Sequence, residues 1–152
     1  MDIRYQLKRF SDLTSKELYS IFQLRQEVFI VEQNCPYVDA DGLDQDSYHL
    51  SGYLQHDLVA YTRLIPPGIV YERHAAITRV INARHTRGKG VGKDLMKRSI
   101  ELSRMLWPET SIKIGAQSYL KSFYEALGFI RSGDEYLEDG ILHIHMILDY
   151  NS

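Results

Sequence analysis

The run Ala75-Ala76-Ile77-Thr78-Arg79-Val80-Ile81-Asn82, followed by Ala83-Arg84-His85-Thr86-Arg87-Gly88-Lys89-Gly90-Val91-Gly92, decides how this chain is read. Residues 75 to 82 read as a strand leading straight into a loop with glycines at 88, 90 and 92. Beyond the loop, Val91, Leu95, Met96, Ile100, Leu102, Met105 and Leu106 predict a long amphipathic helix. Trp107-Pro108 ends it, because proline disfavours helix for the residue before it. Strand, glycine loop and helix form the central unit.

Glycines between a strand and a helix let backbone pass close to a ligand, and the free N–H groups and dipole of the helix start attract an anion. A plain tight turn is the competing interpretation. Two nucleotide loops are excluded by spacing. A Walker A loop ending at Gly92-Lys93 requires glycine where Arg87 stands and Ser or Thr where Asp94 stands. A dinucleotide G-x-G-x-x-G from Gly88 meets Lys93, and one from Gly90 meets Leu95.

Working outward, Ile3, Tyr5 and Leu7 alternate with Arg4, Gln6 and Lys8 as a half-buried strand. Thr14 with Glu17 makes a capping box for a helix whose stripe is Leu18, Ile21, Phe22, Arg25, Val28 and Phe29. Residues 48–54 and 58–65 predict a hairpin across Gln55-His56-Asp57, closed at its far end by Pro66-Pro67-Gly68. Residues 111–116 predict a short strand, and Leu120, Phe123, Tyr124 and Leu127 a second helix stopped by Gly128. Phe129 to Leu137 and Ile141 to Tyr150 predict two strands joined across Asp139-Gly140. The order βαβββαβαββ is that of an α/β or α+β sheet with helices on both faces.

Composition bounds the function. The 152 residues, 44% hydrophobic and 25% charged, suit one domain burying about 70% of its unfolded surface. With 18 Lys+Arg against 20 Asp+Glu the net charge is -2, which argues against a general nucleic-acid binder. The basic helix 87–104 leaves an interaction module as the weakest alternative. Cys35 is the single cysteine, so neither an intrachain disulfide nor a Cys-rich zinc site is expected, and a reducing, cytoplasmic setting fits. No apolar run approaches the roughly 20 residues that span a bilayer, and charges interrupt the start, so neither membrane insertion nor signal-peptide export is expected.

Arg87-Gly88-Lys89-Gly90-Val91-Gly92 matches the [RQ]-x-x-G-x-[GA] signature and resembles the GNAT acetyltransferases. The segment Gln117 to Phe129 resembles that family's late helix ending in Y-x-x-x-G-F. Residues 24–37 and 136–146 look like its ElaA-like branch. The resemblance implies a single GNAT-type domain over 1–152, with a mixed, mostly antiparallel sheet. It also implies an acetyl-CoA co-substrate, without a metal, whose pyrophosphate lies on Arg87, Gly88, Lys89, Gly90, Val91 and Gly92. Pantetheine would pair with Val80, Ile81 and Asn82, with Gln117 and Phe123 nearby, and Tyr124 would be the general acid. An amine on a small molecule or peptide would accept the acetyl group near Phe29, Glu32, Tyr37 and His74, and a homodimer is expected.

Charge is laid out in accord. Arg84, Arg87, Lys89, Lys93, Lys97 and Arg98 face only Asp94, whereas the stretch between Arg25 and Arg63 has seven carboxylates and no Lys or Arg. That acidic stretch is expected either to attract a cationic amine or to be a solvated loop. The run from Asp39 invites a calcium reading, but glycine falls at position 4 instead of 6 and Leu50 stands at position 12 instead of Glu, so no metal is expected there. The family often has a glutamate on the fourth strand, but alanine aligns there, leaving Glu72, His74, Glu32, His143 and His145 as candidate bases. Arg25 is expected to pair with a buried carboxylate such as Glu32 or a neighbour of Glu27. A catalytically silent acyl-CoA-sensing module is the alternative function, since binding needs the loop and not Tyr124.

Overall fold

A computed structural model describes residues 1–152. Eight strands and three helices follow one another as β1 (Arg4–Arg9), α1 (Ser15–Arg25), β2 (Tyr48–Leu54), β3 (Asp57–Ile65), β4 (Ala75–Asn82), α2 (Val91–Leu106), β5 (Ile112–Gln117), α3 (Lys121–Glu125), β6 (Ile130–Arg131), β7 (Tyr136–Glu138) and β8 (Ile141–Leu148). The sheet order is β1-β2-β3-β4-β5-β8-β6, with β7 on β8. β4 and β5 run parallel; β1–β2, β2–β3 and the three pairs made by β8 are antiparallel. This is the mixed, mostly antiparallel sheet of the expected α/β class. The chain resolves into two compact units, Met1–Leu64 with Arg79–Ser99 and Ile65–Thr78 with Ile100–Ser152.

In the first unit the capping box is closed in both directions, Glu17 N–H to Thr14 Oγ1 at 3.1 Å and Thr14 N–H to Glu17 Oε1 at 2.9 Å. Burial raises the Glu17 carboxyl, but hydrogen bonds from Thr14, Gln6 and Lys8 outweigh it and hold the group at about 2. α1 then loosens into wider π-type turns over Gln26–Glu32. Its stripe packs Ile21, Leu24 and Val28 against Val59, Tyr61, Ile81 and Ala83. Each such aliphatic side chain contributes roughly 1.5–3 kcal/mol on burial.

Arg25 sits on that apolar stripe with no exposed surface. Its partners are Asp39 (Nε to Oδ2, 2.7 Å) and Asp44 (Nη1 to Oδ1, 2.6 Å), which corrects the expected pairing with Glu32 or a neighbour of Glu27. Arg63 joins Asp44 at 2.9 Å and forks onto Asp41 with two bonds of 2.8 Å. Arg79 completes the set, binding Asp39 Oδ1 at 2.7 Å. Three arginines thus meet three aspartates. Within the acidic stretch Asp39 and Asp44 are buried and Asp41 is paired at the surface edge of the set, so these three are not free to attract a cation, whereas Glu27, Asp46 and Asp57 are exposed. Burial raises the Asp41 carboxyl, yet Arg63, the Leu43 amide and Arg79 bring it to about 2. Asp44 is held low by Arg25 and Arg63 against the same burial.

His49 extends the network. Its Nε2 lies 2.9 Å from Asp44 O, which only accepts, so Nε2 carries the proton and Nδ1 accepts from the Tyr61 hydroxyl at 2.6 Å. Burial lowers the His49 pKa, consistent with this neutral tautomer.

In the second unit, Ile112, Ile114 and Ala116 on β5 and Ile144, Met146 and Leu148 on β8 are buried, as are Tyr124 and Phe129. β7 and β8 join across Asp139-Gly140, both left-handed (φ 50° and 77°), as a type I′ turn requires. The single strand expected from Phe129 to Leu137 is instead two, β6 and β7. Arg131 pairs with Met146 and Tyr136 with His143, so five residue steps on one side face three on the other. The surplus loops out, with Ser132 N–H held by His145 O at 2.8 Å.

Candidate active site

In the first unit, β4 ends at Asn82 and Ala83 N–H donates to Val59 O at 2.6 Å, pinning the strand end. A short 3₁₀ turn over Arg84–Thr86 follows, fastened by the buried Thr86 hydroxyl on Ala83 O (2.7 Å) and by Asn82 Nδ2 on Thr86 Oγ1 (3.2 Å). The strand is thereby coupled to the loop. Gly88 and Gly90 adopt φ +75° and +81°, and a Cβ at either would meet nothing within 4 Å. Backbone conformation, not crowding, demands glycine there. Gly92 lies inside α2.

The first bond of α2 is Asp94 N–H to Gly90 O at 3.1 Å. The amides of Val91, Gly92 and Lys93 therefore lack a carbonyl one turn back and point out of the helix end. Arg84, Arg87, Lys89 and Lys93, all exposed, lie within a few residues of them in the chain. Arg87 is already engaged: it forks onto Glu32 (2.9 and 2.7 Å) and donates to Asn82 O from Nε and Nη2 (3.3 and 3.2 Å). The hydrogen bonds and charge of Arg87 lower the Glu32 carboxyl pKa, so Glu32 is an anion bound to the loop. Of the other residues expected near an acceptor, Phe29 is half-buried under the Arg79 guanidinium (5.9 Å to the ring centre), and Tyr37 is half-buried.

In the second unit Tyr124 is buried on α3, edge-on to Phe123 (5.1 Å) and Phe129 (5.9 Å). Burial, reinforced by Tyr119, pushes its hydroxyl up to about 12, so it stays protonated at neutral pH. Gln117 is half-buried at the end of β5.

His143 and His145 share a face of β8, as their spacing predicts, and both stack on Tyr136 (5.8 and 4.5 Å). Tyr71 meets His145 edge-on at 5.8 Å, and Lys113 Nζ lies 4.8 Å above the Tyr71 ring. The Tyr136 hydroxyl fills the place of the absent side chain at Gly115, where a Cβ would fall 2.5 Å from it. His143 is tied to Ile141 O (2.8 Å) and faces Glu138 (3.5 Å). His74 keeps a buried Nδ1 without a partner. Burial and then the Lys113 charge lower the pKa of both His74 and His145, leaving neutral imidazoles.

Three features escape sequence reading: the Arg–Asp network, the Arg87–Glu32 fork and a left-handed φ of 55° at Arg79 inside β4. The absence of any Lys or Arg near the aspartates was the available signal for the first, since buried carboxylates need distant cations. Nothing local marks the other two.

Residues 36–150 match the acetyltransferase (GNAT) domain family. ElaA of Escherichia coli is 42% identical over 146 residues, covering 95% of each chain. A UPF0039 protein of Synechocystis is 40% identical over 148 residues, 97% of this chain and 96% of that one. The crystal structure of an acyl-CoA N-acyltransferase from Pseudomonas aeruginosa superposes with a TM-score of 0.92 at 41% identity, covering 97% of this chain and 99% of that one.

Proposed function

The chain belongs to the GNAT acetyltransferase family, in its ElaA-like branch, and is an acyltransferase; from that premise we propose that it moves an acetyl group from acetyl-CoA directly to a primary amine. The observation that carries the proposal is the loop backbone, with left-handed Gly88 and Gly90 feeding the open amides of Val91, Gly92 and Lys93 within a basic stretch of the chain. Such a surface suits a pyrophosphate. In this reading the residues Arg87 to Gly92 hold the phosphates, Val80, Ile81 and Asn82 pair with pantetheine, and Gln117 and Phe123 complete the contact.

The neutral amine attacks the thioester carbon, and a backbone N–H near Val80 or Ile81 stabilises the oxyanion. The C–S bond then breaks and the thiolate takes the Tyr124 hydroxyl proton, while the ammonium formed by attack gives its proton to a base. Among the base candidates, Glu32 is committed to Arg87 and His143 to Ile141 O; His74 and His145 are in the neutral form that a base needs. The acceptor is an amine of a small molecule or peptide, with Phe29, Tyr37 and His74 as its contacts. The reading extends to one catalytic domain over 1–152, a homodimer, and a reducing cytoplasm in which buried Cys35 stays a thiol.

A thiol-release assay over a panel of amines tests it. Turnover is expected with at least one amine, and Tyr124→Phe should lower kcat about a hundredfold with CoA affinity unchanged. Tight CoA binding with no turnover on any amine would instead support the sensing module.

A further inference from the structure

Five non-glycine residues have positive φ: Asn34, Gln55, Glu109 and Asp139 lie in turns, and Arg79, at φ 55°, lies inside β4. For an L-residue this conformation brings Cβ against the following carbonyl, and it persists only where the surroundings enforce it. Around Arg79 the side chains of Asp39, Asp41 and Phe29 supply such surroundings. The Arg79 guanidinium donates from Nε to Asp39 Oδ1 (2.7 Å), and from Nη2 to Asp39 O (3.1 Å) and Asp41 Oδ2 (3.2 Å). Its face covers Phe29 at 5.9 Å. Asp39 is itself immobilised, being buried and gripped through its other oxygen by buried Arg25 at 2.7 Å.

One left-handed residue breaks the alternation of a strand and re-aims every amide and carbonyl after it. The residues after Arg79 are Val80, Ile81 and Asn82. We infer that Asp39, acting through Arg79, is a positioning residue for the acyl-CoA strand: the ion pair holds residue 79 left-handed and so presents the Val80–Asn82 backbone to pantetheine. This rests on the proposed acyl-CoA site. It assigns to the acidic stretch a task that composition does not suggest, since its aspartate shapes cofactor binding without touching the acceptor.

The test compares two substitutions that remove the same ion pair from the full chain and spare the buried Arg25–Asp39 contact. Arg79→Gly adopts φ 55° without strain, whereas Arg79→Ala keeps the Cβ and loses the clamp. Calorimetric titration with CoA should show Arg79→Ala weakened about tenfold relative to Arg79→Gly, with Arg79→Gly within about threefold of wild type. KM for acetyl-CoA should follow the same order and KM for the amine should stay put. Asp39→Asn should weaken CoA binding in the wild-type background and change it less than about twofold in Arg79→Gly, as expected of two residues acting in series. Equal affinities for the Ala and Gly variants overturn the inference, because charge alone would then explain the loss.

A wild-type chain that releases no heat with CoA overturns the proposed function instead. Backbone chemical shifts of Val80–Asn82 then decide the clamp alone: shifts moved in Arg79→Ala and preserved in Arg79→Gly support it, and shifts alike in both sink it.

Discussion

Arg25→Met isolates the energetic role of the buried network. Arg25 has no exposed surface and makes four bonds, to Asp39 Oδ2 (2.7 Å), Asp39 O (3.1 Å), Asp44 Oδ1 (2.6 Å) and Asp44 Oδ2 (3.4 Å). Methionine fills much of the volume but turns a balanced set of three cations and three anions into one with an excess negative charge. Neither acid is left bare: Asp39 keeps Arg79, which also holds its carbonyl, and Asp44 keeps Arg63. Removing one partner of a buried pair costs about 3–5 kcal/mol, and the retained partners favour the lower end, about 3 kcal/mol. For a chain of this size that lowers Tm by about 6–12 °C.

Urea unfolding followed by circular dichroism measures the loss, and a pH series tests its origin. Asp41 at about 2 and Asp44, also held low, lie below the unfolded value of about 3.9, so their stabilisation is full above that value and fades as pH falls toward 2. In Arg25→Met the acid loss should begin at higher pH, because Asp44 has one cation fewer. Arg25→Lys should recover little, since one ammonium cannot reproduce the fork onto two carboxylates. A loss under about 1 kcal/mol for Arg25→Met, or an unchanged acid transition, would refute the reasoning.

Gly90→Ala meets no atom within 4 Å, so its penalty is backbone strain alone: about 1–2 kcal/mol of stability by chemical unfolding, together with weaker CoA binding by calorimetry. Glu32→Ala frees the Arg87 fork and removes an anion from the phosphate loop; CoA affinity should rise up to about fivefold at low salt and the gain should shrink at high salt, within the range of an exposed ion pair. Gly115→Ala drives a Cβ to 2.5 Å from the Tyr136 hydroxyl and should cost about 1–3 kcal/mol, with Tyr136 displaced from the His145 stack in a crystal structure of the variant.

How much of this was legible follows from the range of each determinant. The capping box at Thr14 and Glu17, the strand Ala75–Asn82 and the Asp139-Gly140 turn are set by residues within a few positions of one another, and all three stand as read. The glycine loop was legible for the same reason, because φ values of +75° and +81° require glycine whatever surrounds them. The division of residues 129–137 into β6 and β7 was not, because it reflects a mismatch of residue count against β8 that neither segment reveals alone. Arg25 shows the limit most clearly. A lone cation on an apolar stripe announces a buried acid, but its partners lie 14 and 19 residues away, across a segment with no regular periodicity. Left-handed Arg79 has no local signal at all, since arginine is an ordinary strand residue and its partners Asp39 and Asp41 lie 40 and 38 residues away.

The most direct measurement is a crystal structure of the chain soaked with CoA. Diphosphate oxygens within about 3 Å of the amides between Gly88 and Lys93, with pantetheine alongside Val80–Asn82, are expected from the loop geometry. Diphosphate bound anywhere else, with those amides facing solvent, contradicts the proposed site.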